Sequence, residues 1–220
     1  MQNMWFDNRD PEFLDVASET FPIPELDVVS HRIYRHPSGM IYLIGEVKNR
    51  FECNLSVEVN AYLLEGGKVR GFGWASTLIP ILIPGQKSPF RVIFNNVKGG
   101  FNHYSIKVKF GVTKQNPFRE MKILEHYFNV NDSGYFIVYG RLKNVSQNKV
   151  DLVKVIGSFY GKDSAILALD IKPSKPESFE AYEEGEFRLT VPSRLLSTLV
   201  KSYSLDFWTP TGLNLFSIKW

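Results

Sequence analysis

SGYFIVYGRLKN, residues 133–144, reads as one strand leaving a turn, with Phe136, Val138, Gly140 and Leu142 on one face and Tyr135, Ile137 and Tyr139 on the other. Ninety-five residues earlier the chain reads SGMIYLIGEVKN, 38–49. The same offset lays His31 on His126, Gly39 on Gly134, Gly45 on Gly140, Lys48 on Lys143 and Asn49 on Asn144. With one residue of slippage, SVEVNAYLL at 56–64 lies over VKVIGSFYG near 153–161. Further on, PGQKSPFRVIF at 84–94 resembles EEGEFRLTV at 183–191, and HYSIKVKF at 103–110 resembles SYSLDFW at 202–208. The echoes keep their order, so the chain writes one unit twice, at 25–111 and again from 121. A period near 95 residues is far longer than a solenoid repeat and matches one small all-β domain.

Apolar residues alternate within each unit, the signal of strands with one buried face. Ile41, Leu43 and Val47 match Phe136, Val138 and Leu142, and Val57, Val59, Ala61 and Leu63 match Val153, Val155, Gly157 and Phe159. Phe90, Val92 and Phe94 with Phe187, Leu189 and Val191 form another inward set. Tyr104, Ile106, Val108 and Phe110 with Tyr203, Leu205 and Phe207 form the last. Six or seven short strands per unit, divided by Gly- and Pro-containing turns, predict an all-β fold: two tandem immunoglobulin-like antiparallel β-sandwiches of roughly 90 residues each. The division is an N-terminal extension at 1–24, the first sandwich at 25–111, a linker at 112–120, and the second sandwich at 121–220 with an added C-terminal strand. Nine linker residues with one Pro predict that the sandwiches touch. PSRLLSTLV, 192–200, is the best helix candidate, with Ser193 as N-cap. Gly45 and Gly140 stand on the inward face, which predicts a ring from the opposite sheet in the vacated space, or a bulge. Asn49 and Asn144 suit the turns that close their strands.

The Gly-x-Val-x-Asn stretch at 45–49, the Val-x-Val strand after it, the Pro-Gly turn into a Phe-rich strand and the closing Tyr-Ser-Ile/Leu strand together resemble the FxLYD domain, an immunoglobulin-like module often found in archaeal and bacterial proteins. The segment that gives the family its name departs here. AYLLE at 61–65 keeps Leu63 and Glu65, and GSFYG at 157–161 keeps Tyr160. The resemblance implies an extracytoplasmic, non-catalytic module.

Twenty-six Lys and Arg against 23 Asp and Glu leave a net charge of +3, without the clustered basic stripe of a nucleic-acid binder. A single cysteine, Cys53, excludes an intramolecular disulfide and a thiolate metal cluster. No apolar run approaches the ~20 residues of a membrane-spanning helix. The opening MQNMWFDNRDPEF lacks the pattern of a signal peptide. The expected location is therefore extracytoplasmic or cell-surface if an export segment lies upstream, and cytoplasmic otherwise.

Reactive chemistry finds no foothold. His31 and His126 sit at matching places in both units, as structural residues would, and no histidine pair has metal-ligand spacing. The acidic run Glu177, Glu180, Glu183, Glu184 and Glu186 lacks the alternation of a calcium loop. No phosphate loop, nucleophile elbow or dinucleotide fingerprint occurs, so no catalytic residue, cofactor or metal is expected. Lys98, Lys107, Lys109 and Lys114 suggest either a polyanion strip or protection of a sheet edge.

The outward face of the repeated strand is unusual. Tyr42, Ile44, Tyr135, Ile137 and Tyr139 stand where a solvated face would be polar. They expect cover from the other sandwich or a terminal segment, or they form a partner surface. The expected function is a non-catalytic binding or structural module for a protein or cell-surface glycan. The alternatives are an accessory domain of a polysaccharide-processing enzyme, marked by carboxylates converging between the units, and a two-domain periplasmic chaperone, marked by a long unpaired edge strand and a basic inter-domain cleft.

Overall fold

The computed structural model describes residues 11–209, apart from 22, 37, 96, 98 and 118. The C-terminal strand expected after residue 212 lies outside the described residues. In chain order the strands are β1 (Glu12–Phe13), β2 (Ala17–Thr20), β3 (Leu26–Arg35), β4 (Ile41–Asn49), β5 (Leu55–Glu65), β6 (Lys68–Ser76), β7 (Lys87–Phe94) and β8 (His103–Val112). They continue as β9 (Met121–Val130), β10 (Phe136–Asn144), β11 (Lys154–Tyr160), β12 (Ile166–Pro173), β13 (Glu184–Thr190) and β14 (Ser202–Trp208). The first copy stacks sheet β1-β3-β4-β7 on sheet β2-β8-β5-β6, and the second stacks β9-β10-β13 on β12-β11-β14. Both are antiparallel sandwiches built on the same six-strand plan. The one parallel pairing among the named strands joins β2 to β8.

The repeat is structural to the level of register. Gly45 faces Phe90 across β4 and β7, as Gly140 faces Phe187 across β10 and β13, an offset that has grown to 97. Leu63 opposite Tyr104 matches Phe159 opposite Tyr203, offsets of 96 and 99. The core residues expected from alternation gather in two separate clusters, one per copy, with Tyr203, Leu205 and Phe207 only partly buried against the second. Phe110 departs from its set: near the end of β8, where it is still paired with Val57, it is exposed and leans on Phe51.

The ring beside each repeated glycine comes from the neighbouring strand of the same sheet, not from the opposite sheet as expected. A Cβ on Gly45 would stand 2.4 Å from the Phe90 ring and 2.6 Å from the Ser30 carbonyl oxygen, and one on Gly140 would stand 2.4 Å from the Phe187 ring and 2.7 Å from the Glu125 oxygen. The carbonyl approaches so closely because each partner strand bulges there. The register of β3 on β4 shifts between Val28 and Ser30, and that of β9 on β10 shifts at Arg141/Leu142, which leaves Leu124 unpaired at the position matching Val29. The bulge is as expected, the ring comes from a different strand than expected, and both features recur in each copy.

The hairpin turns repeat as well. Gly39 and Gly134 adopt φ of +86° and +80°, and each donates its N–H to a carbonyl three residues back, His36 and Asn131. The short helix α1 (Arg194–Leu199) lies where expected, and the Ser193 side chain caps it by accepting from the Leu196 N–H.

The N-terminal extension is where the copies part. Its β1 pairs with β3, Glu12 opposite Arg35 and Phe13 opposite Tyr34. Its β2 then pairs with the start of β8, on the other sheet. Leu14 and Val16, between these two short strands, pack against the first core. Residues 12–20 thus cross the mouth of the first sandwich and close it. Among the described residues β9 and β14 have no such cover.

Candidate functional site

The residues the two copies share hold the fold. His31 Nδ1 lies 2.8 Å from the Tyr104 hydroxyl, and His126 Nδ1 lies 2.8 Å from that of Tyr203, each pair edge-on and bridging its two sheets. Burial lowers the pKa of His31, keeping the ring neutral as a hydrogen-bonding strut. Asn49 donates to the carbonyls of Cys53 and Leu82 and accepts from the Phe51 N–H; Asn144 donates to Asn148 and Glu180 and accepts from the Ser146 N–H. Each asparagine is fully buried and ties its turn to the loop before the neighbouring strand of its sheet, β7 or β13.

The outward faces differ. On β4 both faces are buried, because the outer face meets the second sandwich. Ile44 forms a cluster with Tyr160, Ile166 and Leu169, flanked by Tyr34 and Leu78, and the Ile166 N–H donates to Ser30 Oγ at 2.9 Å. Phe13 also packs against the second core. The two sandwiches therefore touch through the outer face of β3-β4-β7 and the outer face of β11 and β12, as the short linker predicts.

A polar group is enclosed in that seam. The Tyr160 hydroxyl donates to Glu46 Oε1 at 2.6 Å, and Lys87 Nζ lies 3.2 Å from Glu46 Oε2 and 5.2 Å from the centre of the Tyr160 ring. Burial, with the hydrogen bond to Glu46, raises the Tyr160 phenol well above its ordinary pKa. Asp206 is pushed up to about 6, first by burial and then by the Glu46 charge, with Lys87 opposing. Carboxylates do converge between the units, but Glu46 is 3% exposed and both its oxygens are occupied. Removing the Tyr160 hydroxyl would leave one oxygen of this buried carboxylate without its partner across the seam.

Of the five outward residues marked in the sequence, Tyr42, Ile44 and Ile137 are buried. No partner can reach them, so they leave the candidate surface. Tyr42 stacks on Tyr34 at 5.4 Å, and Ile44 is under the second sandwich. Tyr135 and Tyr139 keep partial exposure, with Arg194 5.7 Å from the first ring and Arg188 5.6 Å from the second.

Tyr139 stacks on Tyr127, 63% exposed on the neighbouring β9, at 5.4 Å between ring centres. Beside this pair Arg141 bridges Glu125 at 3.0 Å and also meets Glu184, which Lys143 approaches at 3.1 Å. The hydrogen bond from Lys143 leads the effects that lower the pKa of Glu184. The face thus presents two stacked phenol rings and a guanidinium within a frame of paired charges. Tyr127 is a residue the sequence reading did not single out. Its signal is a difference between copies, since the matching position in the first is Arg32.

The lysines near 107 are engaged locally. Lys107 lies 4.5 Å from the Phe21 ring and Lys109 lies 3.7 Å from Glu58, while Lys98 is outside the described residues. Among the described residues no group of three or more potential ligands is placed to hold a metal ion, and no helix is long and apolar enough to cross a membrane.

No family model matches the chain, and no curated protein matches it. Among solved structures it is similar to a beta-glucuronidase from glycoside hydrolase family 2, with 12% identity, a TM-score of 0.29, and coverage of 69% of this chain and 20% of that one. It is also similar to red sea bream transglutaminase, with 9% identity, a TM-score of 0.29, and coverage of 86% of this chain and 29% of that one. A third is a family 2 beta-galacturonidase from Eisenbergiella tayi, with 16% identity, a TM-score of 0.29, and coverage of 80% of this chain and 35% of that one. The chain spans about a third or less of each of these proteins.

Proposed function

We propose that this protein is a non-catalytic binding module, an FxLYD-like tandem acting outside the cytoplasmic membrane, which recognises a protein or cell-surface glycan through the outer face of β9-β10-β13. The observation that carries this is the stack of exposed Tyr127 on half-buried Tyr139 with Arg188 over it, set on a sheet whose counterpart in the first copy is consumed by the seam. Stacked tyrosines with a guanidinium give a large rigid contact area at low conformational cost, the composition on which interfaces concentrate their energy. The engaged state of Glu46 supports a structural role for the inter-unit carboxylates.

A polysaccharide-processing enzyme's accessory module would use the same face, with sugar rings lying on the phenols. The chaperone reading asks for a long unpaired edge strand, which β9 offers among the described residues, and also for a basic cleft between the units, where this seam instead encloses Ile44, Tyr160 and Ile166. To test the reading, the immobilised chain is offered a glycan array and a panel of purified surface proteins in parallel. Saturable capture of one class is expected, lost on combining Tyr127→Ala with Tyr139→Ala. Capture that survives the double substitution would remove this face from consideration.

A further inference from the structure

The mouth of each sandwich lies between its first and last strands, β3 and β8 in one copy, β9 and β14 in the other. In the first copy residues 12–20 close it. The Leu14 N–H donates to the Ile33 carbonyl, the Phe21 N–H donates to the Ile106 carbonyl, and Leu14 and Val16 face the core between them. Ser18 reaches the Tyr104 hydroxyl, and Glu19 lies 3.7 Å from His103 at the head of β8. Under this cover Ile33 is 2% exposed.

In the second copy the position of Ile33 is held by Phe128, 58% exposed, and that of Arg35 by Val130, 52% exposed. Both oppose inward residues of β10, Val138 and Phe136, so they point into the mouth and not outward with Tyr127. Phe128 stacks on Phe136 at 4.9 Å and meets Tyr203 edge-on, which lines the opening with aromatic rings. Where the first copy sets an arginine at the rim, the second sets a valine. Exposed Lys201 stands one residue before Ser202, the counterpart of His103, which pairs with Glu19 in the first copy.

We propose that this mouth is a docking groove for an extended segment of another polypeptide, entered by strand pairing along the edge of β9 that is unpaired among the described residues. Its occupant has the chemistry of residues 12–20: apolar side chains two apart, as in Leu14-Asp15-Val16, followed by an acid able to meet Lys201. Backbone pairing to an open edge supplies affinity, and the apolar pair filling the aromatic opening supplies selectivity. The groove is separate from the Tyr127–Tyr139 face, because adjacent residues of one strand point to opposite sides.

The test uses the full chain and a fluorescent synthetic peptide of sequence PEFLDVASET, residues 11–20. One saturable equivalent is expected by anisotropy, weakened at least tenfold by Phe128→Asp, whose side chain already faces water. The change Tyr127→Ala with Tyr139→Ala leaves peptide binding intact, which separates failure of this groove from failure of the outer face. A peptide carrying Leu14→Asp and Val16→Asp should not bind, a control that leaves the protein untouched. Absence of saturable binding, or binding indifferent to both Phe128→Asp and the peptide changes, would overturn the proposal. Self-association in sedimentation that Phe128→Asp abolishes would assign the groove to a second copy and overturn it equally.

Discussion

The two copies are built on one frame and finished differently. Each has the bulge that brings a carbonyl against its glycine, the His–Tyr strut across the sheets and the buried asparagine that ties a turn. Their surfaces diverge: the first copy's outer sheet is buried in the seam and its mouth is closed by residues 12–20, while the second presents Tyr127 and Tyr139 on its outer sheet and Phe128 and Val130 at its mouth. Function is therefore sought where the copies differ. A residue written twice answers to the fold they share, and one written once answers to its own surroundings.

The largest difference between the copies is expected when one charge is placed at the matching position of each. Ile33→Asp buries a carboxylate without a partner and should cost about 4 kcal/mol in urea unfolding, whereas Phe128→Asp should cost less than about 1 kcal/mol. Equal costs would show that the second mouth is as closed as the first. The shared frame makes the opposite prediction. Gly45→Ala and Gly140→Ala each force a methyl group against a ring and a backbone oxygen, and should destabilise by a similar amount, about 2–3 kcal/mol. A large disparity between them would mean that the bulges are not equivalent.

The seam sharpens the comparison through pH. Folding holds a proton on Asp206 up to about pH 6, against an ordinary value of 3.8, so ionising this group opposes the folded state. Its contribution is fully present below pH 4 and is lost as the pH rises through about 6. Asp206→Asn should therefore stabilise the chain by about 1–2 kcal/mol at pH 8 and leave it unchanged near pH 4, read from chemical unfolding at both values. The smallest effect is expected at the outer face. Tyr127→Ala with Tyr139→Ala should move stability by no more than about 1 kcal/mol while removing capture of the partner.

Much of the frame was legible because it repeats and because strands with one buried face alternate. The inward sets from Ile41 to Val191 and the asparagine turns follow from those two signals, and the Ser193 cap follows from its hydroxyl ahead of a short helical run. The partner strand of the glycine ring was not legible, since alternation gives the face of a residue but not the strand beside it. Nor were β1 and β2, which are too short to show a period and owe their strand form to the edges they pair with. The outward faces of β4 and β10 read alike in sequence, yet Ile44 is enclosed and Tyr139 is not, because which sheet meets the other sandwich is decided by docking. Tyr127, Phe128 and Val130 were readable only by subtraction, as departures from Arg32, Ile33 and Arg35.

Hydrogen exchange of the full chain, followed segment by segment, tests the difference between the two mouths most directly. Edge amides of β3 near 33–35 and β8 near 103–106 are expected to exchange at least about tenfold more slowly than those of β9 near 128–130 and β14 near 202–205, since among the described residues only the first pair is covered. Equal protection of the two sets would contradict it.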